Sequence, residues 1–234
     1  MAKKFYSIEQ EARVADVYIF GYIVSEQWFE DEVTAKSIVN EISALDVDLI
    51  RVHIDSYGGE VSEGWAMYNA LREHPARVDT YADGFVCSAA LYPYLAGESR
   101  NASILSAFYL HEVSSHGWGY ASDLRAAADE AEKLTDIGIN AFVERAGLDA
   151  EKVKELMAAE TWLSPEEALE LNIATAIIQD NSPGAQQSAK KAVMQKLTQH
   201  RQAQPPKNEK PPAEGDNTKP ESTLCERLAG FFNA

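Results

Sequence analysis

Ser88, His111 and the pair Gly58-Gly59 are the residues whose types and settings suit one piece of chemistry. Ser88 lies in Gly84-Phe85-Val86-Cys87-Ser88-Ala89-Ala90, a small and apolar run that follows the strand-like Arg77-Val78-Asp79-Thr80-Tyr81-Ala82. His111 ends the apolar segment Ala107-Phe108-Tyr109-Leu110, and the glycine pair closes Ile54-Asp55-Ser56-Tyr57. A hydroxyl at a strand-to-helix turn, an imidazole at a strand end and a glycine turn are the parts of an acyl-transfer site. Singly, each has a plainer reading: serine caps helices, paired glycines make turns, and a histidine at a strand end packs or is solvated. Their occurrence together, in this order, gives the chemical reading its weight. Converging backbone donors need a turn with no side chain in the way, which glycine allows. Small residues around Ser88 keep the approach open for a substrate that must come within about 3–3.5 Å. His116 is a second candidate base by type; His111, at the end of an apolar strand, fits the requirement better.

The elements that must position these residues alternate. Val14 to Val24 reads as a strand, Glu30 to Leu45 as an amphipathic helix, Leu49 to Ile54 as a strand and Ser62 to Arg72 as a helix. Arg77 to Tyr81 is the next strand, Ser88 to Ala96 a buried helix, and Ser103 to Leu110 holds strand material ending at His111. Ser122 to Ala146 is a long helix capped by Ser122 or Asp123 and stopped by Gly147. Asp149 to Ala158 is a further helix, and Ser164 to Leu171 opens on Ser-Pro-Glu-Glu, a helix start. Strands alternating with helices indicate a layered α/β domain.

Composition narrows the class. The 234 residues allow one sizeable domain plus extensions, and no apolar run reaches the length of a membrane span. Cys87 and Cys225 lie in unlike surroundings and suggest no disulfide framework. The basic N-terminus, followed by acids, lacks the apolar region of a signal peptide, so the cytosol is the expected compartment. No Cys/His cluster has metal-ligand spacing, and no cofactor is expected. Residues 1–180 carry 13 Lys/Arg and 32 Asp/Glu, a net of −19 in a chain of −16, which argues against nucleic-acid binding.

Four segments, taken together, resemble the Clp protease proteolytic subunit family, the caseinolytic serine peptidases. They are Ile54-Asp55-Ser56-Tyr57-Gly58-Gly59, Gly84-Phe85-Val86-Cys87-Ser88-Ala89, Tyr109-Leu110-His111 and Glu160-Thr161-Trp162-Leu163-Ser164-Pro165-Glu166-Glu167-Ala168. The resemblance spans about residues 14 to 180. It implies a crotonase-like β-β-α superhelix with a helical handle, polypeptide substrates and a homo-oligomeric ring. It implies Ser88 as nucleophile, His111 as general base, and the backbone N–H groups of Gly59 and Ala89 as the oxyanion hole. Two positions depart from the pattern. Tyr57 stands where the family has proline, and Glu160 where it has the catalytic aspartate; Glu160 is read as the third member of the triad. The segment after His111, with Gly117 and Gly119 around Trp118, falls where the family leads into the handle on which rings pair.

Beyond about residue 180 the character changes. Residues 181–234 hold eight Lys/Arg against five Asp/Glu; Gln204 to Ser222 is polar and proline-rich and is expected to be disordered. Leu224 to Phe232 is a short apolar segment suited to docking. Similar proteases of phage head-assembly operons carry such extensions. The resemblance therefore implies a phage or prophage head-maturation protease with capsid or scaffold partners, in the host cytoplasm. Two alternatives stay open: the proteolytic subunit of an ATP-dependent Clp-type protease, and a catalytically silent assembly protein. The chain has no G-x-x-x-x-G-K-[ST] loop, so an unfoldase ATPase would be a separate chain. Acyl-CoA hydratases and isomerases share the superhelix but need no serine and histidine so placed. Deleting residues 182–234 is expected to leave hydrolysis of a small peptide close to that of the full chain; loss of turnover would place part of the catalytic domain in the tail.

Overall fold

The computed structural model describes residues 8–11, 13–26, 29 and 32–178. The chain divides into units of residues 1–193 and 194–234, and all the described residues belong to the first. The boundary expected near residue 180 and the tail lie outside the described residues. Three strands open the domain: β1 (Ile8–Glu11), β2 (Val14–Ile23) and β3 (Glu32–Val33). Helix α1 (Ala35–Ser43), strand β4 (Leu49–Gly59), helix α2 (Val61–Glu73) and strand β5 (Arg77–Cys87) come next. A 3₁₀ turn, Ser88–Ala90, leads into α3 (Leu91–Leu95), then β6 (Ser99–Ser103) and β7 (Ala107–Leu110). The long α4 (Ala121–Ala146) precedes α5 (Ala150–Ala158), β8 (Thr161–Leu163), α6 (Pro165–Glu170) and β9 (Ala176–Ile178).

The central strands β2, β4 and β5 pair in parallel, and their alternating side chains build the core. Val17 and Ile19, Val52 and Ile54, and Val78 and Ala82 are buried on one side, where α2 and α3 cover them. On the opposite face His53 stacks between Tyr18 and Tyr81, with Nδ1 2.9 Å from an Asp83 oxygen. β5 is the branch point of the sheet. Its first half, Asp79–Ala82, pairs with β6, and its second half, Phe85–Cys87, pairs with β7. Between the halves the register against β4 slips, from Ile54↔Ala82 to Ser56↔Val86. Such a bulge bends the strand and re-aims the residues beyond it. Gly84 sits in the bulge because a Cβ there would meet Asp55 Oδ1 at 2.5 Å, and the Phe85 N–H donates to that same oxygen at 3.0 Å.

Several expected boundaries shift for local reasons. The first helix begins at Ala35, not Glu30, because Thr34 caps it by accepting from the Ser37 N–H and Glu32–Val33 pairs with β2. The strand expected to end at Tyr81 runs to Cys87 through the bulge. Ser88 to Ala96 is a 3₁₀ turn followed by a short α-helix, not one helix. In α4 the cap is Tyr120, whose N–H donates to Asp123 at 2.8 Å, while Gly147 ends the helix at φ 70° as expected. Buried residues of α4 begin only at Thr135, so its first half leaves the core.

Two arginines fasten the far end of α4 without any carboxylate. The Arg100 guanidinium, almost fully buried, donates to the carbonyls of Ile173, Gly97, Arg145 and Asn172. Arg145 donates to those of Leu95 and Gly97. These carbonyls include helix C-termini, which favour a cation. Burial and the neighbouring Arg145 charge lower the Arg100 pKa, but carbonyl oxygens satisfy its donors. Arg100→Met removes the donors and strands buried acceptors, so it is expected to cost about 3 kcal/mol or more of stability in chemical denaturation. A change below about 0.5 kcal/mol would show that the carbonyls find other partners.

Candidate active site

The strands that carry the chemically able residues end together. Cys87 of β5 is registered with Tyr109 of β7, so Ser88 and His111 leave two neighbouring parallel strands at their carboxyl ends. Gly59 leaves the carboxyl end of β4, the other neighbour of β5. Open parallel sheets place ligands at such ends. Ser88 begins the 3₁₀ turn with φ 55°, a left-handed conformation that non-glycine residues rarely adopt. A strained turn of this kind lifts the side chain clear of both strand and helix.

Ser88 Oγ lies 2.8 Å from His111 Nε2, and His111 Nδ1 lies 2.5 Å from the Glu112 carbonyl oxygen. A carbonyl only accepts, so Nδ1 must hold the ring proton and Nε2 is the base that accepts from the Ser88 hydroxyl. The segment carrying Glu112 is tied down by Thr135 of α4. Its hydroxyl accepts from the Val113 N–H at 2.9 Å and donates to the Ala131 carbonyl at 2.9 Å. Neither Glu112 nor Thr135 was legible as a site residue: the first acts through its backbone, and the second is one polar residue in a helix.

The glycine pair is packed beneath the serine. Gly58 has φ 87°, and a Cβ there would meet Cys87 O at 2.4 Å, Ser88 Cβ at 2.7 Å and Ala89 N at 2.8 Å. Gly59 has φ 147°, and its Cβ would collide with the Ile23 carbonyl oxygen at 1.9 Å. Ser56 sets the turn by donating to the Gly21 carbonyl at 2.6 Å and accepting from the Gly58 N–H at 3.0 Å. Gly59, Ala89, Ser88 and His111 all line one cleft of about 630 Å³, with Tyr92 and Phe142 among its apolar walls. Gly138 lets α4 approach: a Cβ there would lie 2.2 Å from the Tyr92 hydroxyl.

Glu160 sits differently. β7 and β8 pair antiparallel with Leu110 opposite Thr161, which places Glu160 beside the His111 end of the pair. Yet Glu160 is exposed, and the imidazole Nδ1 faces the Glu112 carbonyl. The Tyr109 phenol is pushed up, first by burial and then by the negative charge of Glu160. His116 is exposed and does not line the cleft.

Comparison with known proteins is decisive at the level of family. The Clp protease family profile matches residues 15–181. The chain belongs to the Clp protease family. The ATP-dependent Clp protease proteolytic subunit 2 of Pseudomonas aeruginosa is 27% identical over 176 residues, covering 73% of this chain and 84% of that protein. The ATP-dependent Clp protease proteolytic subunit of Deinococcus radiodurans is 31% identical over 150 residues, covering 62% and 74% respectively. A solved ClpP1 point mutant from Listeria monocytogenes superposes with a TM-score of 0.61 at 23% identity, over 71% of this chain and 92% of that one. The fold is therefore the α/β superhelix that the motifs implied, and the chain is a serine-type endopeptidase of this Clp family. Among the described residues no helix is long and apolar enough to cross a membrane.

Cys87, directly before Ser88, is the obvious rival nucleophile by type. Burial first, and then the Asp55 charge, push its thiol pKa up to about 12, so it is neutral at physiological pH. Iodoacetamide at pH 8 is expected to leave Cys87 unmodified in the native protein and to modify it after denaturation, as read by peptide mass mapping. Rapid native alkylation would show an open, activated thiol.

Proposed function

We propose that the cleft hydrolyses peptide bonds through an acyl-enzyme on Ser88. The observation that carries this is the 2.8 Å contact from Ser88 Oγ to His111 Nε2 at the cleft shared with Gly59 and Ala89. Ser88 Oγ attacks the scissile carbonyl carbon while its proton passes to Nε2. The N–H groups of Gly59 and Ala89 take the oxyanion, each such donor contributing about 10²–10³ in rate. His111 then gives the proton to the leaving amine as the C–N bond breaks. Water, deprotonated by the same nitrogen, releases the acid and restores the Ser88 hydroxyl. The Glu112 carbonyl fixes the tautomer but carries no charge for the imidazolium. Glu160, one rung beyond Leu110↔Thr161 on the β7–β8 pair, supplies that charge when its carboxylate turns to His111.

The body works as a homo-oligomeric ring. Trp118, 96% exposed, and Tyr120, 83% exposed, stand at the projecting start of α4, as expected of a handle that meets another subunit. The setting that best accounts for the tail beyond the matched region is head maturation in a phage or prophage. Capsid or scaffold chains are then the substrates. The names of the relatives favour a second reading, a proteolytic subunit fed by an ATPase unfoldase. Cleavage of a co-encoded capsid or scaffold protein without ATP supports the first; degradation of a folded substrate only with a Clp ATPase and ATP supports the second.

A fluorophosphonate probe is expected to label the wild type and neither Ser88→Ala nor His111→Ala, with peptide hydrolysis down by about 10³-fold or more in both. Glu160→Gln is expected to lower kcat by about tenfold or more, because an amide cannot stabilise the imidazolium. Labelling that persists in purified Ser88→Ala would move the nucleophile elsewhere, and full turnover in Glu160→Gln would leave the Glu112 carbonyl as the only partner of Nδ1.

A further inference from the structure

Thr135 is the one polar side chain that α4 buries; the other residues it buries are Gly138, Ile139, Phe142 and Ala146. A valine of nearly the same shape would pack there, so packing alone leaves the hydroxyl without a purpose. A helical threonine commonly gives its proton to the carbonyl four residues back, as Thr135 does to Ala131 at 2.9 Å. Its oxygen also accepts from outside the helix, from the Val113 N–H at 2.9 Å. That N–H belongs to the same peptide unit as the Glu112 carbonyl, which receives His111 Nδ1 at 2.5 Å. A trans peptide is planar and points its N–H and C=O in opposite directions, so holding one aims the other. Hydrogen bonds therefore run without a gap from Ser88 Oγ through His111, the Glu112–Val113 peptide and Thr135 to the Ala131 carbonyl.

We propose that Thr135 is a positioning residue: its hydroxyl fixes the peptide whose carbonyl holds His111 with Nε2 toward Ser88. This rests on the reading of Ser88 and His111 as nucleophile and base. Residues 111–118 lie outside any helix or strand, so no regular ladder of backbone bonds holds that peptide in place. Without the hydroxyl the Glu112 carbonyl loses its fixed direction. The imidazole can then turn, or carry its proton on Nε2, and a protonated Nε2 cannot accept from the Ser88 hydroxyl. Hydrogen bonds in series also polarise one another, so the acceptor at Thr135 makes the Glu112 carbonyl a better partner for Nδ1. Ser56 does the matching task on the other side of the serine, donating to the Gly21 carbonyl and accepting from the Gly58 N–H. One hydroxyl sets the glycine turn and the other sets the base. What Thr135 supplies is direction and tautomer, not charge.

The test sets Thr135→Val against Thr135→Ser in the full chain, read by steady-state hydrolysis of a short peptide and by hydrogen exchange at the Val113 amide. Thr135→Val is expected to lower kcat and kcat/KM together by about fivefold or more, with KM within about twofold of the wild type. Thr135→Ser keeps the hydroxyl and is expected to stay within about twofold of the wild type in both. The Val113 amide is expected to exchange faster in Thr135→Val and at close to the wild-type rate in Thr135→Ser. Unchanged turnover in Thr135→Val overturns the proposal, as does a loss that Thr135→Ser shares or one carried by KM alone. Unchanged Val113 exchange in Thr135→Val overturns it as well. Thr135→Ala carries the same test if the valine variant fails to fold. A wild type without Ser88-dependent hydrolysis would instead overturn the underlying catalytic reading; an active wild type indifferent to the Thr135 hydroxyl overturns this inference alone.

Discussion

The break in β5 is the constraint on which the rest of the structure depends. One strand serves β6 with its first half and β7 with its second, and the bulge at Asp83–Phe85 redirects it between the two. Asp55 holds the bulge by accepting from the Phe85 N–H, and Gly84 leaves room for that carboxylate. Without the redirection, Cys87 would not lie across from Tyr109, and Ser88 and His111 would not leave adjacent strand ends. The left-handed φ at Ser88 is a local cost of order 1–3 kcal/mol. It is held in place by the well-packed core of β2, β4 and β5 beneath it.

The active-site electrostatics depend on the groups that this frame leaves available. The strand end after Leu110 presents a backbone carbonyl, not a carboxylate, to Nδ1. A carbonyl orients the ring as well as a carboxylate does, but it contributes no charge when the imidazole takes the serine proton. The carboxylate that the family pattern offers for that charge is Glu160, one methylene longer than aspartate, one rung beyond Leu110↔Thr161. The neighbouring thiol of Cys87 is kept neutral by burial, which removes the rival to the proposed Ser88 nucleophile at that turn.

The parts legible in the sequence were those with a local cause. Apolar periodicity located β2, β4, α2 and α4, and Gly147 and Ser164 marked a helix end and a helix start because their caps are chemical signals. Ser88, His111, Gly59 and Ala89 were nameable from type, setting and family pattern, and one cleft receives all four. The course of β5 beyond Tyr81 was not legible, because Asp83-Gly84 reads as a turn until Asp55, thirty residues away, is seen to bond the chain. The Glu112 carbonyl carries no side-chain signature at all. The register of β7 and β8 brings Glu160 beside the strand end that carries His111, but the partner of Nδ1 is the backbone carbonyl of Glu112.

Ser88 and His111 are expected to act on one carbonyl as a pair. A peptidyl chloromethyl ketone tests it most directly, because it forms a hemiketal with a nucleophilic serine while alkylating the imidazole nitrogen that faces the same substrate. Stoichiometric modification of His111 at Nε2 is expected in the wild type and none in Ser88→Ala, as mapped by mass spectrometry. Modification at His116, or equal modification of His111 with and without the Ser88 hydroxyl, would contradict it.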